Sequence, residues 1–219
     1  KKENKMKLLR VGEFEKEKPA ALDKTGKIRD LSQHVADFNI TTLNFETLEK
    51  LKKLNLETLP EVPMSTRIGS CIAKPGKFLA VGLNYSDHAA ETNAAIPKEP
   101  IIFNKAANCM IGPNDNIILP KLSKKLDWEV EIAFVIGKNT KYINEKDAPN
   151  HILGYCIVND VSEREWQIER GGTWDKGKSG DTFGPTGPYL VTKDELNDVQ
   201  NLSMSLDIDG KRMQTGNTK

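Results

Sequence analysis

Cysteine and histidine are both scarce, three of each in 219 residues. Cys71, Cys109 and Cys156 are an odd number without metal-type spacing, so they read as reduced thiols of a cytoplasmic protein. His34, His88 and His151 are scattered, with no partner at ligand spacing, which argues against a zinc centre. Long apolar runs are lacking too. No stretch approaches the roughly 20 residues of a membrane span, and no signal peptide is visible. Nor is there an excess of either charge: Lys+Arg is 32 and Asp+Glu is 31, leaving +1. Without a basic patch or charge run, neither nucleic acid nor a membrane surface is expected as a partner. Repeats and low-complexity tracts are absent. What remains is 37% hydrophobic and 29% charged, the balance of a folded globular chain. Its length suits one large domain, or a medium one with a small companion.

Turn and period signals divide the chain in two. Residues 6–33 alternate short apolar runs with turns, and DKTG (23–26) predicts a hairpin. NFETLEKLKKLN (44–55) spaces Leu48, Leu51 and Leu54 three apart and predicts a short amphipathic helix with a solvated basic face. Pro60, Pro63 and Pro75–Gly76 then punctuate the chain and suggest a small N-terminal domain over 1–72 and a larger one over 73–219. Beyond that point the pattern is mostly β. FLAVGLNY, EPIIFNKA, the IIL of IGPNDNIILP, WEVEIAFVIG, ILGYCIVND, GPYLVT and SMSLDIDGKRMQ all read as strands, the last with a DG turn at Asp209–Gly210. SDHAAETNAA and SEREWQIER read as short helices, and GGTWDKGKSGDTFGPTGP as a long loop. Many β segments with few helices point to a β-rich α+β roll or sandwich rather than a doubly wound α/β sheet.

Three groups of residues could carry chemistry. In DWEVEIAFVIG, Glu129 and Glu131 are two apart and share one face of a strand. Asp160 ends the apolar run ILGYCIV. If the two strands are neighbours, the three carboxylates converge, and oxygen-only ligation suits Mg²⁺, Mn²⁺ or Ca²⁺. The bland alternative is a solvated strand face with the glutamates paired to lysines. His88 and Glu91, three apart on a helix, could form a base, since a carboxylate beside an imidazole fixes its tautomer and raises its basicity. They could equally be an exposed i,i+3 pair. Lys178, in the glycine-rich WDKGKSGDTFGP, could bring a cation to an anionic substrate or could lie on a surface loop.

Together these segments resemble one family. GLNYSDHAAE (82–91), DWEVEIAFVIG (127–137), GYCIVNDVSEREWQ (154–167), WDKGKSGDTFGPTGP (174–188) and QTGNT (214–218) stand in the order and spacing of the fumarylacetoacetate hydrolase family. Within it, ERGGTWDKGKSGDTFGPTGP looks most like the hydrolases of 2,4-diketo-3-deoxy sugar acids such as the fuconate and rhamnonate derivatives. Close relatives are often labelled ureidoglycolate lyase. The resemblance implies the family's mixed β-roll, usually dimeric, behind a small variable domain. It implies a divalent metal, Mg²⁺ or Mn²⁺ with Ca²⁺ as a substitute, on Glu129, Glu131 and Asp160, with His88 and Glu91 activating water and Lys178 facing the substrate. Asn84, Tyr85, Arg164, Gln167 and Thr182 match polar positions lining the pocket. Two departures stand out. Some members place a fourth carboxylate ligand where this chain has Asn84, and members carry a glycine- and threonine-rich substrate loop beyond the match to GNT. The implied reaction is hydrolysis of a C–C bond in a diketo acid, releasing pyruvate. Decarboxylation, isomerisation, hydration or ureidoglycolate cleavage on the same scaffold is the alternative, and a metal-stabilised binding domain without catalysis is the alternative of another class.

Overall fold

The structure is a computed structural model and describes residues 5–87, 93 and 95–219. Its centre is a seven-stranded sheet. β1 (Lys7–Val11), β2 (Lys18–Leu22), β3 (Ile28–Asp30) and β4 (Glu61–Val62) come from the first third of the chain. β9 (Val130–Ile136), β10 (Ile152–Asn159) and β13 (Leu190–Thr192) come from the rest. The strand order is β4-β3-β2-β1-β13-β10-β9. β1 meets β13 antiparallel through Leu8↔Leu190, so strands from either side of residue 72 share one sheet.

They share a core as well. Met6, Leu8, Leu31, Phe38, Leu48 and Leu51 pack in one cluster with Leu153, Cys156, Val158 and Leu190. Each fully buried side chain of this size contributes roughly 1.5–3 kcal/mol. The expected helix is α1 (Phe45–Leu51). The Asn44 side chain caps it by accepting the Thr47 N–H at 2.8 Å, and Leu48 and Leu51 are its buried stripe. The DKTG hairpin joins β2 to β3 as expected.

The remaining strands form pairs. β5 (Phe78–Gly82) lies on β6 (Ile101–Lys105), and β14 (Ser203–Ile208) on β15 (Lys211–Asn217) across Asp209–Gly210. Both turn residues have positive φ, 50° and 77°, which is why a DG pair suits this position. β7 (Met110–Ile111) runs parallel to β12 (Gly184–Pro185), and β8 (Leu126–Asp127) antiparallel to β11 (Ser162–Glu163).

Three expected elements differ. Residues 117–119 are not a strand: Ile117, Ile118 and Leu119 are exposed, and the Ile118 N–H goes to the Thr182 hydroxyl at 2.8 Å instead of a ladder. SEREWQIER is not an ordinary helix but a π-helical turn over Glu165–Glu169. At its start the Trp166 N–H is taken by the Glu163 carboxylate at 2.8 Å. The long glycine-rich loop contains a single helical turn, α2 (Asp175–Lys178), which buries Gly177 and Lys178.

Candidate active site

β9 and β10 are antiparallel neighbours with Val158 opposite Glu131 and Asn159 opposite Val130. Continuing that register puts the start of one strand beside the end of the other, and the Asp160 N–H donates to the Glu129 carbonyl at 2.9 Å. Glu129, Glu131 and Asp160 therefore share the face that, further along β9, carries Ala133 and Val135 against the core. They do not lie on a solvated face. Asp160 is buried, and the Glu129 side chain is 14% exposed.

Cations from three other segments meet these acids. Lys178 Nζ donates to Glu129 Oε2 and to Asp160 Oδ2, each at 2.8 Å, and lies 5.0 Å from the centre of the Phe103 ring. Lys105 Nζ is 2.6 Å from Asp160 Oδ1. That contact pairs a buried ammonium with a buried carboxylate. Arg164 reaches Glu129 Oε1 at 2.6 Å through one terminal nitrogen and Asp127 Oδ2 at 2.8 Å through Nε. Another of its nitrogens donates to Gln167 Oε1 at 3.0 Å. The Tyr85 hydroxyl donates to Glu131 Oε2 at 2.6 Å.

The protonation states follow from these contacts. Burial raises the Glu131 carboxyl to about 7, against the Tyr85 hydrogen bond and with help from the negative charges of Glu129 and Asp160. Burial also opposes ionisation of Asp160, but Lys105 and Lys178 outweigh it and hold the carboxyl below its ordinary value. Burial works against the Arg164 charge, and Glu129 and Asp127 outweigh it. Desolvation and Glu131 push the Tyr85 phenol well above its usual range, so it stays a donor.

Of the residues singled out in the sequence, Glu129, Glu131, Asp160, Lys178, Arg164, Gln167 and Tyr85 thus stand in one connected cluster. Asn84 is exposed. Thr182 lines a different, open cleft of 580 Å³ with Phe14, Arg67, Asn108, Asp115 and Asp181, none of which belongs to the cluster. His88 and Glu91 lie outside the described residues. Among the described residues, no three His, Cys, Asp or Glu side chains are already grouped to hold a metal ion. The donor chemistry nevertheless fits a hard dication: Glu129 Oε2 and Asp160 Oδ2, both carboxylate oxygens, converge on one cation.

Sequence reading missed Lys105, which is 1% exposed. The signal was available: Ile101, Phe103 and Lys105 alternate along β6, so a lysine shares the face of an aromatic. It also missed Glu163, a buried carboxylate that accepts the N–H groups of Lys125 and Trp166 at 2.7 and 2.8 Å and thereby anchors the segments carrying Asp127 and Arg164. An acid inside a helix-like run gives no hint of that role.

Comparisons with known proteins identify the family and the fold. Residues 77–219 match the family described as fumarylacetoacetate (FAA) hydrolase, C-terminal. A Burkholderia ambifaria protein, provisionally named a hydrolase, is 54% identical over 214 residues, 98% of this chain and 76% of its own length. Among solved structures, a fumarylacetoacetate hydrolase from Exiguobacterium antarcticum superposes with a TM-score of 0.82 at 28% identity, covering 97% of this chain and 75% of that one. A 5-carboxymethyl-2-hydroxymuconate delta-isomerase from Mycobacterium smegmatis gives 0.74 at 29% identity, with 97% and 75% covered. With a β-rich fold of the same kind and a family match over 143 of its 219 residues (77–219), the chain belongs to the fumarylacetoacetate hydrolase family.

Proposed function

We propose that this protein is a divalent-metal-dependent hydrolase of 2,4-diketo acids, with 2,4-diketo-3-deoxy sugar acids as the preferred class, and that it releases pyruvate. One observation carries the reading. Two strand-end carboxylates, Glu129 and Asp160, converge on one cation beside Glu131, with Arg164 and Gln167 adjoining. Such a cluster can hold a positive centre against the carboxylate and 2-oxo group of a substrate.

Mg²⁺ or Mn²⁺ held by Glu129, Glu131 and Asp160 would supply Lewis-acid stabilisation of charge on the 2-oxo oxygen. Lys178 and Arg164 bind and orient the substrate carboxylate in this reading. His88, oriented by Glu91, takes a proton from water, whose oxygen bonds to the distal carbonyl carbon. The C3–C4 bond breaks, its electron pair passes to C3, and the resulting pyruvate enolate is protonated there. The other product is the distal carboxylic acid.

A second reading, isomerisation, is favoured by the name of the Mycobacterium smegmatis neighbour. It needs a stabilised enolate but no water. Incubating the protein and Mg²⁺ with a panel of diketo acids separates the two. Pyruvate release coupled to lactate dehydrogenase is the expected result; a shift in ultraviolet absorbance without pyruvate would establish isomerisation instead. The homodimer belongs to the same proposal. Phe134, Ile136 and Ile157 stand exposed on the outer face of β9 and β10, a patch that a second copy would cover, and light scattering of the purified chain tests it.

A further inference from the structure

All four carboxylate oxygens of Glu129 and Asp160 already face a nitrogen within 2.8 Å. Arg164 takes Glu129 Oε1, Lys105 takes Asp160 Oδ1, and among the described residues Lys178 alone touches both, through Glu129 Oε2 and Asp160 Oδ2. A dication and the Lys178 ammonium therefore compete for the same two oxygens. Lys105 cannot be the group that yields. Both lysines are buried, but the Lys105 ammonium is also held by the Val161 carbonyl at 3.4 Å and by the Lys178 carbonyl. Arg164 is tied to Asp127 and Gln167 as well as to Glu129. Lys178 differs. Beyond the two acids, its ammonium has only the Phe103 ring nearby among the described contacts, and that contact does not depend on either carboxylate.

We propose that Lys178 is an internal counter-cation seated where the metal binds, and that an anionic substrate draws it off, so that metal and substrate bind cooperatively. The inference rests on the metal-dependent reading above and adds its order of assembly. Two like charges cannot share one pair of carboxylates at close range without a large Coulomb cost. Metal alone must displace the ammonium with no further anion among its described hydrogen bonds and ion pairs to receive it. When a substrate carboxylate is present, the ammonium pairs with that group and frees Glu129 Oε2 and Asp160 Oδ2. Coupling of this kind is reciprocal: the anion raises metal affinity by the same factor as the metal raises anion affinity.

The test is direct binding of Mn²⁺, followed by calorimetry with and without oxalate as a small dianionic mimic of the pyruvate enolate. Lys178→Met keeps the apolar stem and removes the ammonium. Mn²⁺ alone is expected to bind this variant roughly 5–150-fold more tightly than the wild type, the usual range of coupling between sites, and oxalate should add much less to it than to the wild type. Equal Mn²⁺ affinity in the two proteins, or an equal oxalate effect, overturns the seat assignment and leaves metal dependence intact. No Mn²⁺ binding to either protein, with or without oxalate, overturns the metal reading itself. A crystal structure of the wild type with Mn²⁺ and oxalate guards against a general charge effect of the variant. Lys178 Nζ is expected to have left at least one of the two carboxylates, and finding it still within hydrogen-bond distance of both would sink the proposal.

Discussion

Gly177 sits where no other residue fits. A Cβ there would lie 2.5 Å from both the Gln167 nitrogen and the Glu163 carbonyl oxygen, and neither backbone atom can swing aside. Gly177→Ala must therefore push α2 away from the π-helical turn and carry Lys178 with it. Overpacking of this kind costs about 1–3 kcal/mol, and displacing a catalytic group by about 1 Å can cost roughly 10²-fold in rate. Thermal melts with a pyruvate assay should show both losses. Gly76→Ala is the control, because its Cβ meets only the end of the Ile40 side chain. At the same scale, the base assigned to His88 predicts that His88→Ala lowers turnover by about 10²–10⁴ while Mn²⁺ still binds. Glu91→Gln should lose less, and the double variant little more than His88→Ala alone, because the two act as a unit. Full turnover in His88→Ala would remove the water-activating role.

The elements that the sequence predicts well are those specified locally. DKTG is one. Asp23 Oδ1 accepts the Thr25 hydroxyl at 2.6 Å and the backbone N–H groups of Thr25 and Lys27, and Oδ2 accepts Arg29 Nε at 2.7 Å. The Thr25 hydroxyl leads in holding this carboxyl far below its ordinary value; burial opposes it, and Arg29 and the backbone donors add to it. A depressed folded pKa stabilises the fold above the unfolded value of 3.8, and that contribution fades as pH falls from there toward the folded pKa. Asp23→Asn should thus melt below the wild type at pH 7, and the gap should narrow below about pH 4. A gap that is constant from pH 7 to pH 3 would refute the ionic role. The less legible elements depend on distant partners. Residues 117–119 have a strand-like composition but pair with no strand among the described residues. The four-residue helix that delivers Lys178 is too short for a period to show, and it is held by the packing of Gly177 on Gln167.

Across the whole molecule, the site was legible only in part. Strand ends and alternation were enough to bring Glu129, Glu131 and Asp160 together in expectation, because both rules are local. That Lys105 and Arg164 would already neutralise them depends on contacts 35 to 55 residues away in sequence, which composition does not reveal. The same holds for the sheet that joins the first 72 residues to the rest. Away from its seam between β1 and β13, an ion network around Glu17, whose side chain is 6% exposed, lies within the first 72 residues and reaches the rest through the Arg67–Asp115 pair. Arg10 on β1 donates to Asp37 at 2.6 and 3.0 Å, to Glu17 at 3.3 Å and to the Ser70 carbonyl at 3.2 Å. Arg67 donates to the other oxygen of Glu17 at 2.8 Å and grips Asp115, in the loop after β7, through two bonds. Arg10→Met would leave Asp37 and Glu17 short of a partner in a largely dry setting. Removing one member of such a pair costs about 3 kcal/mol, or roughly 6–12 °C in Tm at about 2–4 °C per kcal/mol for a chain of this size. Glu17→Gln added to Arg10→Met should cost less than the sum of the two single changes, because each already breaks the shared contact. Strictly additive losses in denaturant titrations of the three variants would show that Arg10 and Glu17 act independently, so that the contact between them contributes nothing measurable.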